Sequence, residues 1–470
     1  MRSNHKHLTK IKLEMKKLRF VAGILLLALL VSCNNQTKGP WVELFNGKNL
    51  DGWVQRNGEA LYEVEDGVII GRTVLNTPNS FLCTEENYGD FILEYEVKVD
   101  PSLNSGVQIR SESKSDYRDG RVHGYQVEID PSDRAWSGGI YDEARRGWLY
   151  PLDLNPDAVG ALKQNEWNKF RVECVGSHIK TYLNGVDVSN LYDEMTAEGF
   201  IALQVHSVGS DPEKEGIEVM WRNIRIITEN VEQYETESMA PVFSRLVNKL
   251  SPEEEAAGFK LLFDGNSSDG WRNAYRETFP EQGWVIEDGA ITVLASDGAE
   301  SQNGGDIVTE EEYSDFDFQL EFKITEGANS GIKYFVTEKE ENNNMSAIGL
   351  EYQILDDKNH PDAKLGNHEG SRTLASLYDL IKAENKRFYG IGVWNSARIV
   401  SDGSHVEHYL NGIKVLEYER GSDQFRKLVE ESKYKKWEDF GEAESGHLLL
   451  QDHGDRVSYR SIKIKELDNE

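Results

Sequence analysis

Apolar and polar residues alternate with a period of two along most of this chain. Phe91-Ile-Leu-Glu-Tyr-Glu-Val-Lys-Val99 and Phe316-Asp-Phe-Gln-Leu-Glu-Phe-Lys-Ile324 show the pattern clearly. A strand points successive side chains to opposite faces, so this period predicts half-buried strands with one face on a core. The Asn-Gly pairs at 184 and 411 sit between alternating runs. Such pairs predict hairpins, because a type I′ turn needs positive φ at both central residues. Many short strands with few helices predict an all-β sandwich or jelly roll.

The pattern occurs twice. Val42-Glu-Leu-Phe-Asn-Gly47 with Asp51-Gly52-Trp53 returns as Lys260-Leu-Leu-Phe-Asp-Gly265 with Asp269-Gly270-Trp271. Asn104-Ser105-Gly106 returns as Asn329-Ser330-Gly331, Tyr182-Leu-Asn-Gly185 as Tyr409-Leu-Asn-Gly412, and Arg222-Asn-Ile-Arg-Ile226 as Arg460-Ser-Ile-Lys-Ile464. Landmarks recurring in one order predict two homologous domains, 40–228 and 259–468. A Glu-rich linker, 229–258, lies between them. Within it Ser251-Pro252-Glu-Glu-Glu255 predicts a short helix, with Ser at the N-cap, Pro at the first position and acids in the first turn.

Charge narrows the partners. A formal net charge of -30 speaks against nucleic acid, which requires Lys and Arg to displace its counterions. It suits a neutral ligand such as a carbohydrate. The 10 Trp and 20 Tyr supply flat apolar faces for sugar rings, although core packing accounts for such residues equally well.

The chain begins with a leader, 1–33. Lys16, Lys17 and Arg19 precede an apolar run from Phe20 to Val31, then Leu30-Val31-Ser32-Cys33. A charged segment, a short apolar segment and a small residue before Cys form a bacterial lipoprotein signal in which Cys33 is acylated after cleavage. The run is too short to span a bilayer as a helix. Met15 is the expected start. The lipid on Cys33 is then the expected bilayer contact. Asn34-Asn-Gln-Thr-Lys38 lacks an acidic run of the surface-export kind, which places the protein on the periplasmic face of the outer membrane. Cys83 and Cys174 could pair in an oxidising compartment. Cys174 continues the alternation Phe170, Val172, Cys174, so a small buried apolar residue is the simpler expectation.

These motifs resemble the bacterial 3-keto-disaccharide hydrolase family, whose fold is a concanavalin A-like jelly roll. In the second copy the resemblance rests on Leu262-Phe-Asp-Gly265, Gly349-Leu-Glu-Tyr-Gln-Ile-Leu-Asp356, His360-Pro-Asp-Ala363, Ser376-Leu-Tyr-Asp379, Trp394-Asn395, His408-Tyr-Leu-Asn-Gly412 and Leu450-Gln-Asp-His-Gly454. It implies two tandem jelly-roll sandwiches acting on 3-keto sugars. The first copy diverges. Gly124-Tyr-Gln-Val-Glu-Ile-Asp130 is aligned with Leu350 to Asp356, and Gln204-Val-His206 with Gln451-Asp-His453, but nothing corresponds to His360-Pro-Asp-Ala363. That copy is left either to bind without catalysing or to catalyse with a different set.

Glu351 and Gln353, like Gln126, Glu128 and Asp130, fall at alternate positions of a strand and share one face. Gln451 and His453 do so on a second strand, with Gln204 and His206 equivalent. Tyr378-Asp379 and Tyr141-Asp142 recur as candidates for orienting hydroxyls. Lys333 and Arg110 follow the two Asn-Ser-Gly motifs as candidate cations, with Arg110 aligning by count with Phe335. A solvated strand face, a structural histidine or a surface charge would each produce the same pattern.

The implied substrate sets the chemistry. A ketone at C3 acidifies the hydrogen at C2, so the bond at C1 can be lost by proton abstraction and β-elimination. That route needs a base, a cation or donor for the enolate, and an acid for the leaving oxygen. The second copy offers His453 or Glu351 as base, Lys333 and Gln353 as contacts, and His360 or Tyr378 as acid. Glu128 and His206 are the corresponding groups of the first. A glycosidase with two carboxyl groups fits less well, because a spacing of five puts Glu351 and Asp356 on opposite faces. No cofactor is required. A divalent cation held by His360, Asp362, His368 and Glu369 stays open. The alternatives to an enzyme are a lectin-like glycan-binding lipoprotein and an adhesion lipoprotein. An enzyme of this kind would depend on an oxidoreductase to make the keto sugar.

Overall fold

The computed structural model describes residues 40–296, 303–341 and 344–467, with side chains left aside from 339 to 345. The expected leader, with Met15 and Cys33, lies outside the described residues. From Val42 onward the chain is built mainly of strands. In the first half, one sheet runs in spatial order Phe243–Ser244, Val186–Tyr192, His178–Leu183, Asn168–Val175, Phe91–Val99, Glu218–Ile227, Val68–Arg72 and Leu61–Glu65. The other runs Gly147–Tyr150, Ile140–Glu143, His123–Ile129, Ser105–Glu112, Phe200–Val205, Ser80–Thr84 and Trp53–Arg56. Phe91–Val99 lies between strands far from it in sequence, the crossing expected of Greek-key and jelly-roll sandwiches.

The second half repeats the plan. Phe316–Ile324 lies between Asn395–Asp402 and Val457–Glu466 in one sheet. Asn329–Glu341 lies between Asn344–Leu355 and His447–Leu450 in the other. Each sandwich buries one core built from both of its sheets. Leu93 and Tyr95 meet Val107, Ile109 and Val127 in the first, and Phe318 and Leu320 meet Ile332 and Tyr352 in the second.

The alternating residues behave as their period requires, with one addition. Positions facing away from the core are covered as well. Glu94 is buried among Lys169, Arg171 and Arg225, and Ile92 lies in a small cluster with Ile227 and Val231. Both Asn-Gly pairs form the predicted turns, with φ of 54° and 84° at Asn184 and Gly185, and 51° and 81° at Asn411 and Gly412. The Asp-Gly-Trp repeat also acquires a reason. Trp53 Nε1 donates to Leu44 O at 3.1 Å and Trp271 Nε1 to Leu262 O at 2.7 Å, each tying the opening motif of its domain to the core.

The linker is stitched to both sandwiches. Phe243–Ser244 adds a parallel strand beside Leu191 and Tyr192. Asn248 then bridges to the second half, donating to Gly289 O at 2.8 Å and accepting from Ser461 N at 2.8 Å. Pro252–Ala256 is the predicted helix, closed by a capping box in which Ser251 and Glu254 satisfy each other's backbone amides.

Candidate active sites

The sheets that carry the candidate residues begin each ladder at the Asn-Ser-Gly motif. In the first half Ser105 pairs with Ile129, Gly106 with Glu128 and Gln108 with Gln126. In the second Ser330 pairs with Ile354, Gly331 with Gln353 and Lys333 with Glu351. This register corrects the sequence alignment by one position. Gly124 stands opposite the same ladder position as Gly349, not Leu350, so Gln126 is equivalent to Glu351 and Glu128 to Gln353. An extra residue, Leu355 before Asp356, produced the slip. The two glycines have the same purpose. A Cβ on Gly106 would lie 2.5 Å from Gln126 Cδ, and one on Gly331 would collide with the Glu351 carboxyl group.

The first half encloses a cavity of roughly 570 Å3 lined by Gln126, Glu128, Tyr141, Gln204 and His206. Glu128 is buried, 4% exposed. Its carboxyl group accepts from Asn104 Nδ2 at 2.8 Å and Gln126 Nε2 at 2.9 Å, and Arg134 Nη2 lies 3.2 Å away. Burial nevertheless dominates and pushes its pKa up to about 7. Asn104, Gln126 and Arg134 oppose the rise, and the Asp130 charge adds to it. Gln126 Oε1 accepts from Gln108 at 2.5 Å and Gln204 at 2.9 Å, while Gln204 Oε1 is buried without a partner. His206 Nδ1 lies 2.8 Å from Ser207 O, which assigns the proton to Nδ1 and leaves Nε2 as an acceptor. Trp148 and Tyr141 form an aromatic wall with ring centres 5.3 Å apart.

The second half encloses roughly 500 Å3, lined by Lys333, Glu351, Gln451, Asp306, Tyr434 and Trp437 among others. Lys333 Nζ lies 3.7 Å from Asp306. Further along the same strand face, Gln353 donates to Asn329 Oδ1 at 3.2 Å, and Asn329 Nδ2 lies 3.3 Å from His453 Nε2. Gln353 Oε1 is a second buried acceptor without a partner. The His360 and His453 rings meet edge-on, with centres 6.3 Å apart. Burial lowers the His360 pKa, opposed by Asp455 and aided by His453. Asp362 N donates to His360 Nδ1 at 3.2 Å.

Several sequence candidates lie elsewhere. Arg110 is turned away by a bulge. Its φ of 44°, matched by 51° at Phe335, reverses the alternation, and its guanidinium donates to Gly89 O at 2.8 Å and Gly176 O at 2.6 Å and pairs with Asp90. Asp142 is fully buried between Arg145 and Arg146. Asp379 is likewise buried, holding Arg372 at 2.7 Å and Lys433 N at 2.9 Å. These two aspartates brace loops through their arginines and line neither cavity. Tyr378 donates to Asp362 at 2.8 Å, and burial raises its pKa far above the usual range, so it makes a poor acid. Asp130 is occupied by Ser132, Arg134 and Trp136 N.

Asp362 is held by Arg372 and Tyr378, and His360, Asp362, His368 and Glu369 do not converge. Among the described residues the trio that does is His405, Glu407 and Glu417, and Lys414 already pairs with both glutamates. Cys83 and Cys174 are free and buried. Sequence reasoning missed Arg134, Trp148, Asp306, Tyr275, Lys433 and Trp437. The signal for the first two was present. Arg134, Trp136, Arg145, Arg146 and Trp148 crowd one short stretch of an acidic chain.

Comparison with known proteins adds a family. Both halves match the 3-keto-alpha-glucoside-1,2-lyase-like domain, over residues 40–227 and 258–465. A 3-keto-disaccharide hydrolase of Bacteroides thetaiotaomicron is 38% identical over 242 residues, 47% of this chain and 83% of that protein. A Parabacteroides distasonis protein solved as a candidate glycosyl hydrolase is 32% identical, with a TM-score of 0.42, covering 47% of this chain and 100% of its own. A second from the same organism is 26% identical, with a TM-score of 0.33, covering 44% and 99%.

Proposed function

Because the chain belongs to the 3-keto-alpha-glucoside-1,2-lyase-like family in both of its halves, we propose that it cleaves 3-keto-disaccharides or 3-keto-glycosides by elimination. The observation that carries this is Glu128, a buried cavity carboxyl group with its pKa raised to about 7. A base poised near neutrality is ionised often enough to act and basic enough to take a carbon-bound proton.

The steps follow from the substrate. Glu128 takes the C2 proton, and the C2–H electron pair forms the enolate with the C3 oxygen. Arg134 and the surrounding carboxamides stabilise that oxygen. The enolate then collapses, restoring the C3 ketone, forming the C1–C2 double bond and breaking the bond from C1 to the glycosidic oxygen, which takes up the proton from the Glu128 carboxyl group and leaves as an alcohol. Addition of water to the double bond would make the overall result hydrolysis. In the second half Glu351 and Lys333 take the corresponding roles, with His453 and His360, further along the strand face beside Asn329, as the candidate proton donors.

The test is incubation with a 3-keto-disaccharide and its unoxidised parent, following release by mass spectrometry. Release from the keto sugar alone supports elimination. Binding of both without release returns the protein to the lectin-like reading. On the Leu30–Cys33 motif we also place the chain on the periplasmic face of the outer membrane through acylated Cys33. Palmitate labelling that persists in Cys33→Ser would overturn that placement.

A further inference from the structure

Across the ladders Gln126 stands where Glu351 stands, and Gln108 stands where Lys333 stands. An acid facing an ammonium group in the second half is thus a pair of carboxamides in the first. The difference matters for orientation. A carboxylate presents the same oxygen on both of its branches, whereas a carboxamide rotated by half a turn offers an acceptor where it had offered a donor.

A chain of contacts settles which way the Gln126 carboxamide lies. Ser111 Oγ donates to Gln108 Oε1 at 2.9 Å, which leaves Gln108 Nε2 to donate to Gln126 Oε1 at 2.5 Å. Gln204 Nε2 reaches the same oxygen at 2.9 Å. With Oε1 occupied by two donors, Gln126 presents Nε2 to Glu128 Oε2 at 2.9 Å. The reversed amide would set an oxygen against the carboxylate and its own N–H groups against two others. Gln108, Gln126, Glu128 and Gln204 are all buried, so water competes little for these contacts.

Resting on the elimination proposed above, we infer that Gln108 and Gln204 are positioning residues for the base Glu128: they hold the Gln126 amide so that an N–H, and not an oxygen, meets the carboxylate. Gln108 does not line the cavity, and its influence on the base passes through Gln126. The Gln126 contact favours the charged form of Glu128 against the burial that opposes it. Loss of the amide's orientation therefore leaves less ionised base at neutral pH. Other charges act on the same group. Arg134 and Asp130 face it from its own segment of chain, Tyr141, Glu143 and Arg145 belong to the neighbouring hairpin, and Arg118, Arg121 and His206 line the rest of the cavity. None of these changes in the variants below.

The experiment uses the full mature chain with carbon-13 in its glutamate carboxyl groups. The Glu128 resonance is the one lost in Glu128→Gln, and its titration is followed by NMR in parallel with kcat/KM for a 3-keto-disaccharide. Gln108→Met and Gln204→Met keep the bulk and remove one donor each. Both are expected to move the Glu128 titration upward by about half a pH unit or more, and the pH limb of kcat/KM with it. In a Gln126→Met background neither should move it further. A titration left in place by both variants, or moved as far in the Gln126→Met background, overturns the inference. If the fully buried Gln108→Met does not fold, Gln204→Met at the cavity wall carries the same comparison. A rate limb that stays fixed while the titration moves, or a wild type that cleaves no keto sugar, overturns the base role of Glu128, and the NMR comparison still decides the positioning.

Discussion

The Asn104 side-chain amide donates to Glu128 Oε1 at 2.8 Å, yet Glu128 still titrates near 7 because burial outweighs that bond. The bond favours the ionised carboxylate, so its removal should raise the pKa further. The rate of sugar release from a 3-keto-disaccharide is expected to rise with pH through a limb near 7. In Asn104→Ala that limb should move to higher pH. A limb unmoved in Asn104→Ala, measured under kcat/KM conditions, would take Glu128 out of the base role.

The same group affects stability. Its folded pKa stands above its unfolded one, so the folded state holds the proton more tightly. The resulting stabilisation is complete below about 4.5 and is lost as pH rises through about 7. The loss amounts to on the order of 3 kcal/mol. Glu128→Gln cannot titrate. Its Tm is expected to fall less than that of wild type between pH 4.5 and 8, and thermal melts across that range check it.

Gly331 lies under the Glu351 carboxyl group with no room for a methyl group. Gly331→Ala must therefore displace Glu351 or shift the strand. Overpacking of this kind costs about 1–3 kcal/mol. Urea denaturation is expected to show that loss, together with reduced turnover by the second cavity. Gly327→Ala, where a Cβ meets nothing within 4 Å but φ is 71°, should cost stability through strain alone and leave Glu351 in place.

Arg110 differs from the other cations in being 1% exposed. It satisfies two carbonyl groups and Asp90 between the sheets. Arg110→Ala leaves the two carbonyl groups unsatisfied, while half-exposed Asp90 regains water, and is expected to cost roughly 1–3 kcal/mol. Arg134→Ala, at the cavity, should instead raise the Glu128 pKa by removing a positive neighbour. Denaturation midpoints and pH profiles of the two variants separate the roles.

These contrasts show where the sequence could be read and where it could not. Period two located the strands and put Gln126 with Glu128, and Glu351 with Gln353, on one face of their strands, because alternation is a local property. It failed at Arg110, where one left-handed residue in a bulge reverses every count beyond it. It failed at the alignment of Glu128 because only the ladder reveals that Leu355 is extra. Arg134 and Trp437 come from loops and Trp148 from the short edge strand Gly147–Tyr150; their meeting is decided by the tertiary fold, and no periodicity marks them. Asp142 and Asp379 show the converse. A repeated Tyr-Asp has the same sequence whether the carboxylate meets a sugar or an arginine.

Arg387 carries the last consequence, because it belongs to the second half and lies over a ring of the first. Its guanidinium is 4.8 Å from the centre of Trp136, which Arg134 also overlies at 5.1 Å. Trp136 meets the cavity wall residue Trp148 edge-on at 4.9 Å. Two cations over one ring repel, and burial with that repulsion lowers the Arg387 pKa. Tyr389 opposes that fall, and the ion pair with Asp153 and the ring itself hold the guanidinium in place. Arg387→Ala should therefore loosen Trp136 and, through it, Trp148. A cation over a partly desolvated ring contributes about 0.5–2 kcal/mol, so disaccharide binding to the first cavity is expected to weaken by a few-fold, with a change in tryptophan emission. Calorimetry on Arg387→Ala, Asp153→Ala and the double variant checks it. Non-additive losses show that the pair acts as one brace, and unchanged affinity in all three would show that the first cavity is independent of the second half.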